Sequence, residues 1–227
     1  MILGTGCLGE RSLDGTAVRA ALPATGLSRL LLVVRPGAAM PQAPGVLAAL
    51  RGAPVAAVRC GWNELALGID VAAASRAPLL VLELPRLFGL ERACRELHAL
   101  GRGHPGLGWA AATPDAGPLA EPGQLALLLE DLAGQRPGYW HRPSRAALLG
   151  HGDVAWMEAC GPYVLGASLD DVVDGKPGAP PGLGSVDFRT VAELLPVAAL
   201  HALDVEPLAD ASLLRFTCEH LRLAGLS

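Results

Sequence analysis

The feature that most constrains the fold of this chain is a regular alternation of short apolar runs with segments of helical pattern. The apolar runs lie at residues 1–9, 28–37, 53–63, 78–86, 107–115, 138–143, 162–171 and 197–207. Most are continuously apolar, rather than alternating with polar residues, which is typical of parallel strands that are covered on both faces. Because a segment of helical length follows each run, the sequence predicts eight strand–helix units.

Eight such units in 227 residues predict an α/β fold, a single compact (β/α)₈ TIM barrel that spans residues 1–227 as one domain. The alternative is an open doubly wound sheet, which normally carries a glycine fingerprint after its first strand. The stretch GTGCLG at residues 4–9 has this spacing, but the chain holds 28 glycines, and Arg35 rather than an acid ends the second strand. The pattern therefore favours the barrel.

Charge and cysteine content limit the function. The net charge of −4 and the lack of a basic block argue against nucleic acid as the main partner. The apolar runs are too short to cross a membrane, and the first residues lack a signal-peptide pattern. Five scattered cysteines without a C-x-x-C pair argue against a disulfide framework. We expect a cytoplasmic protein with a small-molecule ligand, and a homodimer or a protein partner is compatible with the sequence.

The carboxyl ends of the strands and the loops after them are where a barrel of this kind places its chemistry. The polar residues there are Cys7, Glu10, Arg35, Arg59, Trp62, Asn63, Glu83, Arg86, Thr113, Asp115, His141, Arg142, Asp170, Asp171, Asp204 and Glu206. Asp204 and Glu206 are two residues apart on a strand, so both side chains point to one face. Buried carboxylates there need a cation or an arginine, and Arg35, Arg59 and Arg142 are the candidates. The two acids are either a functional pair at the mouth or part of a structural ion pair.

Two other residues have two interpretations each. Glu83 ends the fourth strand, where it would act as a proton shuttle or pair with Arg86. His141 lies in the stretch YWHRP, which would either form the floor of a small-molecule pocket or pack in the core without a functional role.

The stretch APPGLGSVDFRTVAELLP at residues 179–196 follows a strand that ends in acids and precedes a strand that ends in LDVEP. This order of loop, helix and strand resembles the sugar phosphate isomerase/epimerase family, whose members have a xylose-isomerase-like barrel. The resemblance is specific over residues 162–207 and implies that the loop crosses the barrel mouth. Within the loop, Asp187 is the natural N-cap of the helix, with Ser185 as the alternative.

The resemblance implies a divalent metal, which would be manganese, magnesium, zinc or iron, and proton transfer next to a carbonyl. Ala112 and Thr113 stand where the family has a glutamate, and Ala167 stands where it has a histidine. His141 and Asp204 are the remaining candidates for metal ligands.

The function that the resemblance implies is that of a sugar isomerase/epimerase acting on a small polyol or ketose. Its catalytic candidates are Glu83, Asp204 and Glu206, and its substrate-binding candidates are Arg59, Trp62, Arg142 and Asp170. The alternative is a pseudoenzyme, a barrel that has lost its metal site and serves as a binding or partner subunit. The changes at Ala112, Thr113, Ser144 and Ala167 favour the alternative, whereas the acids at positions 170, 204 and 206 favour the enzyme.

Overall fold

Eight parallel strands close into a barrel in the computed structural model, which describes residues 2–8, 29–38, 54–204 and 211–226. The barrel strands are β1 (Ile2–Leu8), β2 (Leu30–Val34), β3 (Val55–Gly61), β4 (Leu79–Glu83), β5 (Gly108–Ala112), β6 (Gly138–His141), β7 (Val164–Leu169) and β10 (Leu200–Leu203). They pair in the order β1-β10-β7-β6-β5-β4-β3-β2. Each lies within one of the eight apolar runs, so the prediction of a TIM barrel is confirmed and the doubly wound sheet is wrong.

Helices connect the strands on the outside of the barrel. The described helices are α1 (Leu65–Ser75), α2 (Leu90–Gly103), α3 (Pro122–Asp131), α4 (Pro143–Leu149), α5 (Gly152–Cys160), α6 (Phe188–Leu194) and α7 (Ala211–Leu223). The helices predicted after β1 and β2 lie outside the described residues. Within the described part, no helix has both the length and the apolar character that crossing a membrane requires.

The interior of the barrel holds alanines, larger aliphatic side chains and one indole ring. Ala57, Ala110, Ala112 and Ala202 belong to a buried cluster that packs around Trp140. A second and larger apolar cluster lies between the strands and the helices. The barrel interior is therefore a packed core, and the carboxyl ends of the strands form its mouth.

The helical segment predicted after β6 is two helices in the structure. The helix α4 begins with Pro143 and ends at Gly150, which has a φ of +79° and donates its backbone N–H to Ala147 O. A left-handed glycine is a common way to end a helix. The helix α5 begins at Gly152, and its first turn places Asp153 against His141 on the outside of the barrel.

The segment between β7 and the proline–glycine loop contains an antiparallel hairpin that the sequence analysis did not predict. Its strands are β8 (Asp171–Val173) and β9 (Lys176–Ala179), and they are joined by Asp174 and Gly175. Both turn residues have positive φ values, 51° and 70°. An Asp-Gly pair is among the strongest local signals for such a turn, so the signal was present in the sequence.

The carboxylate of Asp171 explains why the loop that follows is rich in glycine. It accepts hydrogen bonds from the backbone N–H groups of Val172, Gly182, Gly184 and Val186, at 2.8 to 3.0 Å. A Cβ atom at Gly184 would overlap both Val172 O and Asp171 Oδ1. The loop therefore wraps closely around one buried acid, and the glycines permit that approach.

Asp187 begins α6 as its N-cap. Its Oδ1 atom accepts hydrogen bonds from the backbone N–H groups of Arg189 at 3.1 Å and Thr190 at 3.3 Å. The prediction of Asp187 as N-cap is therefore confirmed. The alternative, Ser185, instead donates its hydroxyl to Val172 O at 3.5 Å.

Candidate active site

A cluster of charged side chains fills the barrel mouth. It comprises three arginines and four acids, which we call the mouth cluster: Arg59, Arg142, Arg145, Glu83, Asp115, Asp170 and Asp204. They come from the ends of β3, β4, β7 and β10 and from the segments that follow β5 and β6. The structure thus brings five of the predicted site residues together: Arg59, Glu83, Arg142, Asp170 and Asp204.

The Arg59 side chain crosses the barrel from β3 to Asp204. Its Nη2 atom lies 3.0 Å from Asp204 Oδ1, and its Nη1 atom contacts Asp204 Oδ2. The Nη1 atom also donates a hydrogen bond to Ser168 Oγ at 3.0 Å, and Nε lies 3.4 Å from Glu83 Oε1. Two parallel contacts between guanidinium and carboxylate form the strongest kind of protein ion pair.

Both members of this pair are buried and charged. The side chains of Arg59 and Asp204 are 8% and 14% exposed. Burial acts to raise the pKa of Asp204, but the charge and hydrogen bonds of Arg59 outweigh it, so the pKa of this carboxyl lies below its ordinary value. Burial likewise opposes the charge on Arg59, yet Asp204 holds the pKa of the guanidinium above its ordinary value. Asp204 is therefore in an ion pair with Arg59, one of its three predicted partners. Glu206 lies outside the described residues.

Glu83 lies between two arginines. Its Oε1 atom is 3.4 Å from Arg142 Nη1 as well as 3.4 Å from Arg59 Nε. The sequence analysis considered Arg86 as the partner, whereas the structure pairs Glu83 with Arg59 and Arg142. At 39% exposure, Glu83 is the most open acid of the mouth cluster.

Asp115 contacts both Arg142 and Arg145, and so connects Arg145 to the mouth cluster. Its Oδ1 atom lies 3.4 Å from Arg142 Nη1 and 3.0 Å from Arg145 Nε. Arg142 Nε is buried and makes no hydrogen bond within the described part of the chain. Within that part, Arg142 Nε is therefore an unsatisfied buried donor beside the mouth cluster.

Asp170 ties the β8–β9 hairpin to the mouth. Ser144 Oγ donates to its carboxylate with 2.8 Å to each oxygen, and the backbone N–H of Gly178 donates to Oδ2 at 2.8 Å. The residue is 2% exposed. Burial, with the negative charge of Asp204, raises the pKa of Asp170 from 3.8 to about 6, against the opposing effect of Arg142. This carboxyl therefore titrates close to neutral pH.

We expect Asp170 to make the protein more stable as the pH falls. The folded protein binds this proton more tightly than the unfolded chain, so the stabilisation grows below about pH 7 and is complete below the ordinary pKa of 3.8. Between pH 7 and pH 4, the wild type should gain about 2 kcal/mol relative to Asp170→Asn. Urea unfolding of both proteins at several pH values measures this gain. Glu130→Gln, on an exposed site of α3, serves as control, and a difference that does not change with pH would contradict the expectation.

His141 lies on the other side of the barrel wall from the mouth cluster. Successive residues of a strand point to opposite faces, and Trp140 faces the interior, so Tyr139 and His141 face the helices. His141 Nδ1 is 2.8 Å from Tyr139 Oη, and Nε2 is 2.7 Å from Asp153 Oδ1. Tyr139 Oη in turn lies 2.7 Å from Thr113 Oγ1. The structure therefore does not bring His141 together with the acids of the mouth.

Thr113 connects this outer network to the mouth. Its hydroxyl oxygen accepts a hydrogen bond from the backbone N–H of Arg142 at 2.9 Å. Thr113 is 1% exposed, so it acts on the position of Arg142 rather than on a ligand.

The indole ring of Trp140 forms the floor beneath the mouth. Its Nε1 atom donates to Ser168 Oγ at 2.9 Å, and the same hydroxyl accepts from Arg59. Ser168 lies two residues before Asp170, so strand alternation from that acid could have placed it on the same face. Trp62, a predicted binding residue, lies at the rim, where its ring packs edge-on against Phe88 with centroids 5.2 Å apart.

The described donors at the mouth do not fit a divalent cation. No three His, Cys, Asp or Glu side chains in the described ranges converge in a way that would hold a metal. Both oxygens of Asp204 contact Arg59, and Ser168 Oγ already accepts two hydrogen bonds. His141, the predicted nitrogen ligand, faces the helices.

Comparison with known proteins extends the description of the fold. No protein-family model matches the chain, and no curated protein sequence matches it. Among solved structures, a xylose isomerase domain protein from Alicyclobacillus acidocaldarius subsp. acidocaldarius matches with a TM-score of 0.66 at 14% identity, over 99% of this chain and 98% of that one. L-ribulose 3-epimerase matches with a TM-score of 0.70 at 13% identity, over 99% and 96%.

A third solved structure, IOLI protein with a bound zinc atom, matches with a TM-score of 0.62 at 10% identity, over 98% of this chain and 96% of that one. At these identities the likeness shows the fold alone, and it extends over nearly the whole chain. The resemblance read from residues 162–207 is confirmed at that level. The chain has the fold of the xylose-isomerase-like barrels, and sugar isomerases and epimerases are among its structural neighbours.

Proposed function

We propose that this protein is a sugar isomerase/epimerase-like enzyme that moves a proton next to a carbonyl in a small polyol or ketose-type substrate. The observation that carries the proposal is Glu83, an open carboxylate between the guanidinium groups of Arg59 and Arg142. It lies at the carboxyl end of β4, the side of a barrel where enzymes of this fold carry out chemistry.

In this proposal, Glu83 removes the proton from the carbon beside the carbonyl. The electron pair of the broken C–H bond moves toward the carbonyl oxygen, where the positive charges of Arg142 and Arg59 on either side of Glu83 stabilise it. Charged donors that are already in place stabilise such a developing oxyanion without reorganisation. For an isomerisation, Glu83 returns the proton to the neighbouring carbon, while the proton of the adjacent hydroxyl passes through Asp170 to the former carbonyl oxygen. For an epimerisation, the planar intermediate must be reprotonated on the face opposite Glu83, which needs a second acid. Neither route consumes an oxidant.

The pKa values of Asp170 and Asp204, the two buried acids of the mouth cluster, support proton-transfer chemistry. Asp170 has a pKa raised to about 6, whereas the pKa of Asp204 is lowered. In enzyme sites where the pKa values of two carboxyl groups are shifted in opposite directions, one group commonly exchanges the proton and the other stays charged. Asp170 would bind a substrate hydroxyl, Asp204 would hold Arg59, and Trp62 would contact the substrate at the rim. A catalytic role for Glu206 stays a prediction.

The test is exchange of the carbon-bound proton with solvent. Small ketoses, aldoses and their acid or phosphate derivatives are incubated with the protein in D₂O, with and without chelator, and deuterium uptake is followed by NMR. We expect uptake by the wild type and a loss of about 10²–10⁴-fold in rate for Glu83→Gln. Glu91→Gln, on an exposed position of α2, is the control and should exchange at the wild-type rate. Equal rates for wild type and Glu83→Gln would contradict the proposed role.

The second candidate is a binding or partner subunit without catalysis. The observation that favours it is the mutual pairing of the mouth cluster, since Asp204, Glu83 and Asp115 all contact arginines. Saturable binding of a small sugar-like ligand by calorimetry, without deuterium uptake on any carbonyl compound, would support this candidate over the enzyme.

A further inference from the structure

We infer that the guanidinium group of Arg59 takes the place of a divalent cation at the centre of the mouth, and that removing it would open a metal site. This inference goes beyond the proposed function, because it concerns which positive charge holds the acids together and not which reaction follows.

The oxygen atoms around Arg59 come from three separate strands. Glu83 Oε1 at the end of β4, Ser168 Oγ on β7 and both carboxylate oxygens of Asp204 lie within 3.4 Å of its nitrogen atoms. Carboxylate oxygens are among the donors that Mg²⁺ and Mn²⁺ prefer, and Glu83 and Asp204 supply three of these four oxygens. The guanidinium thus lies at the point where these donors converge.

The charge balance also depends on Arg59. Asp170 is close enough to act electrostatically on both Arg59 and Asp204. Without the guanidinium, the mouth cluster would hold four acids against Arg142 and Arg145. Asp170 and Asp204 are the buried members of this excess, and buried carboxylates without a counter-charge either take up protons or bind a cation.

A guanidinium and a metal exclude each other at this point. Both oxygens of Asp204 already contact Arg59, and two positive charges would share one small buried volume. The wild type should therefore bind divalent ions weakly at the mouth. Its central positive charge is part of the chain and does not depend on metal supply.

The test is Mn²⁺ binding by chelator-stripped protein, measured by calorimetry and by thermal unfolding with and without the ion. We expect no saturable site in the wild type at about millimolar Mn²⁺, and an affinity at least about a hundredfold higher in Arg59→Ala. Mn²⁺ should raise the unfolding temperature of Arg59→Ala alone. The double variant Arg59→Ala/Asp204→Asn should lose the gain in Mn²⁺ affinity. The control Arg95→Ala, which removes an exposed arginine of α2, should bind Mn²⁺ as weakly as the wild type.

If Arg59→Ala does not fold, Arg59→Gln is the variant to test. Glutamine is neutral but retains a hydrogen-bond donor, which favours folding. The same gain in Mn²⁺ affinity is expected for this variant. A folded Arg59 variant that binds none of Mn²⁺, Mg²⁺ and Zn²⁺ overturns the inference. One equivalent of metal bound by the wild type and lost in Asp204→Asn also overturns it. Neither result depends on deuterium exchange, so this inference and the proposed function fail separately.

Discussion

Asp204→Asn is expected to destabilise the protein by about 3–5 kcal/mol, because it leaves the buried guanidinium of Arg59 without a counter-charge. The asparagine side chain keeps the shape of aspartate, so the loss reports the charge and not a cavity. The pair lies where two chain segments 145 residues apart meet across the barrel. Urea unfolding at neutral pH, followed by circular dichroism, measures the change in the free energy of unfolding.

The matched control is Asp174→Asn in the turn of the β8–β9 hairpin. This acid is exposed, and its left-handed φ of 51° is one that asparagine also adopts, so its change should stay within about 0.5 kcal/mol. An Asp204→Asn protein that unfolds within about 1 kcal/mol of the wild type would mean that Arg59 is not held by this charge.

Asp171→Asn is expected to cost about 3 kcal/mol or more. The residue is fully buried, and four backbone N–H groups share its two oxygens, so an amide leaves buried donors without an acceptor. Gly184→Ala should destabilise the same loop, because the added Cβ overlaps Val172 O and Asp171 Oδ1. Thermal unfolding gives the stability, and limited proteolysis shows whether residues 180–186 open first.

Gly123→Ala provides the glycine control for this prediction. Gly123 lies in the first turn of α3, and a Cβ there meets no atom within 4 Å. Alanine is the better helix former, so this change should be neutral or stabilising by up to about 1 kcal/mol. Equal behaviour of Gly184→Ala and Gly123→Ala would show that the loop is not closely wrapped around Asp171.

The barrel could be predicted because its signal is local and repeated. Each apolar run contains a strand. Arg59, Glu83, Asp170 and Asp204 were selected by their positions at strand ends, and they lie together in the mouth cluster, while their roles stay predictions. The choice of partner could not be predicted. Which of three arginines reaches Asp204 depends on the geometry across the barrel, and nothing in the neighbouring sequence encodes it.

The position of His141 shows a second reason why the site could not be fully predicted from the sequence. The strand β6 is four residues long and buried on both faces, so its sequence does not fix which face His141 takes. Shifting a strand by one residue moves every side chain to the opposite face, and in the structure Trp140 faces inward while His141 faces out. Asp171 was likewise placed at the mouth by its position after β7, although its carboxylate binds the backbone of the following loop.

The hydroxyl of Thr113 has a consequence for how this protein could acquire a new specificity. Arg142 points into the mouth, but its backbone N–H is held by Thr113, which contacts Tyr139 and through it His141. The backbone position of Arg142 is therefore set by side chains that are themselves buried. A directed-evolution library restricted to mouth-facing positions would omit the residues that position Arg142. Such a library should also include Thr113, Tyr139 and His141.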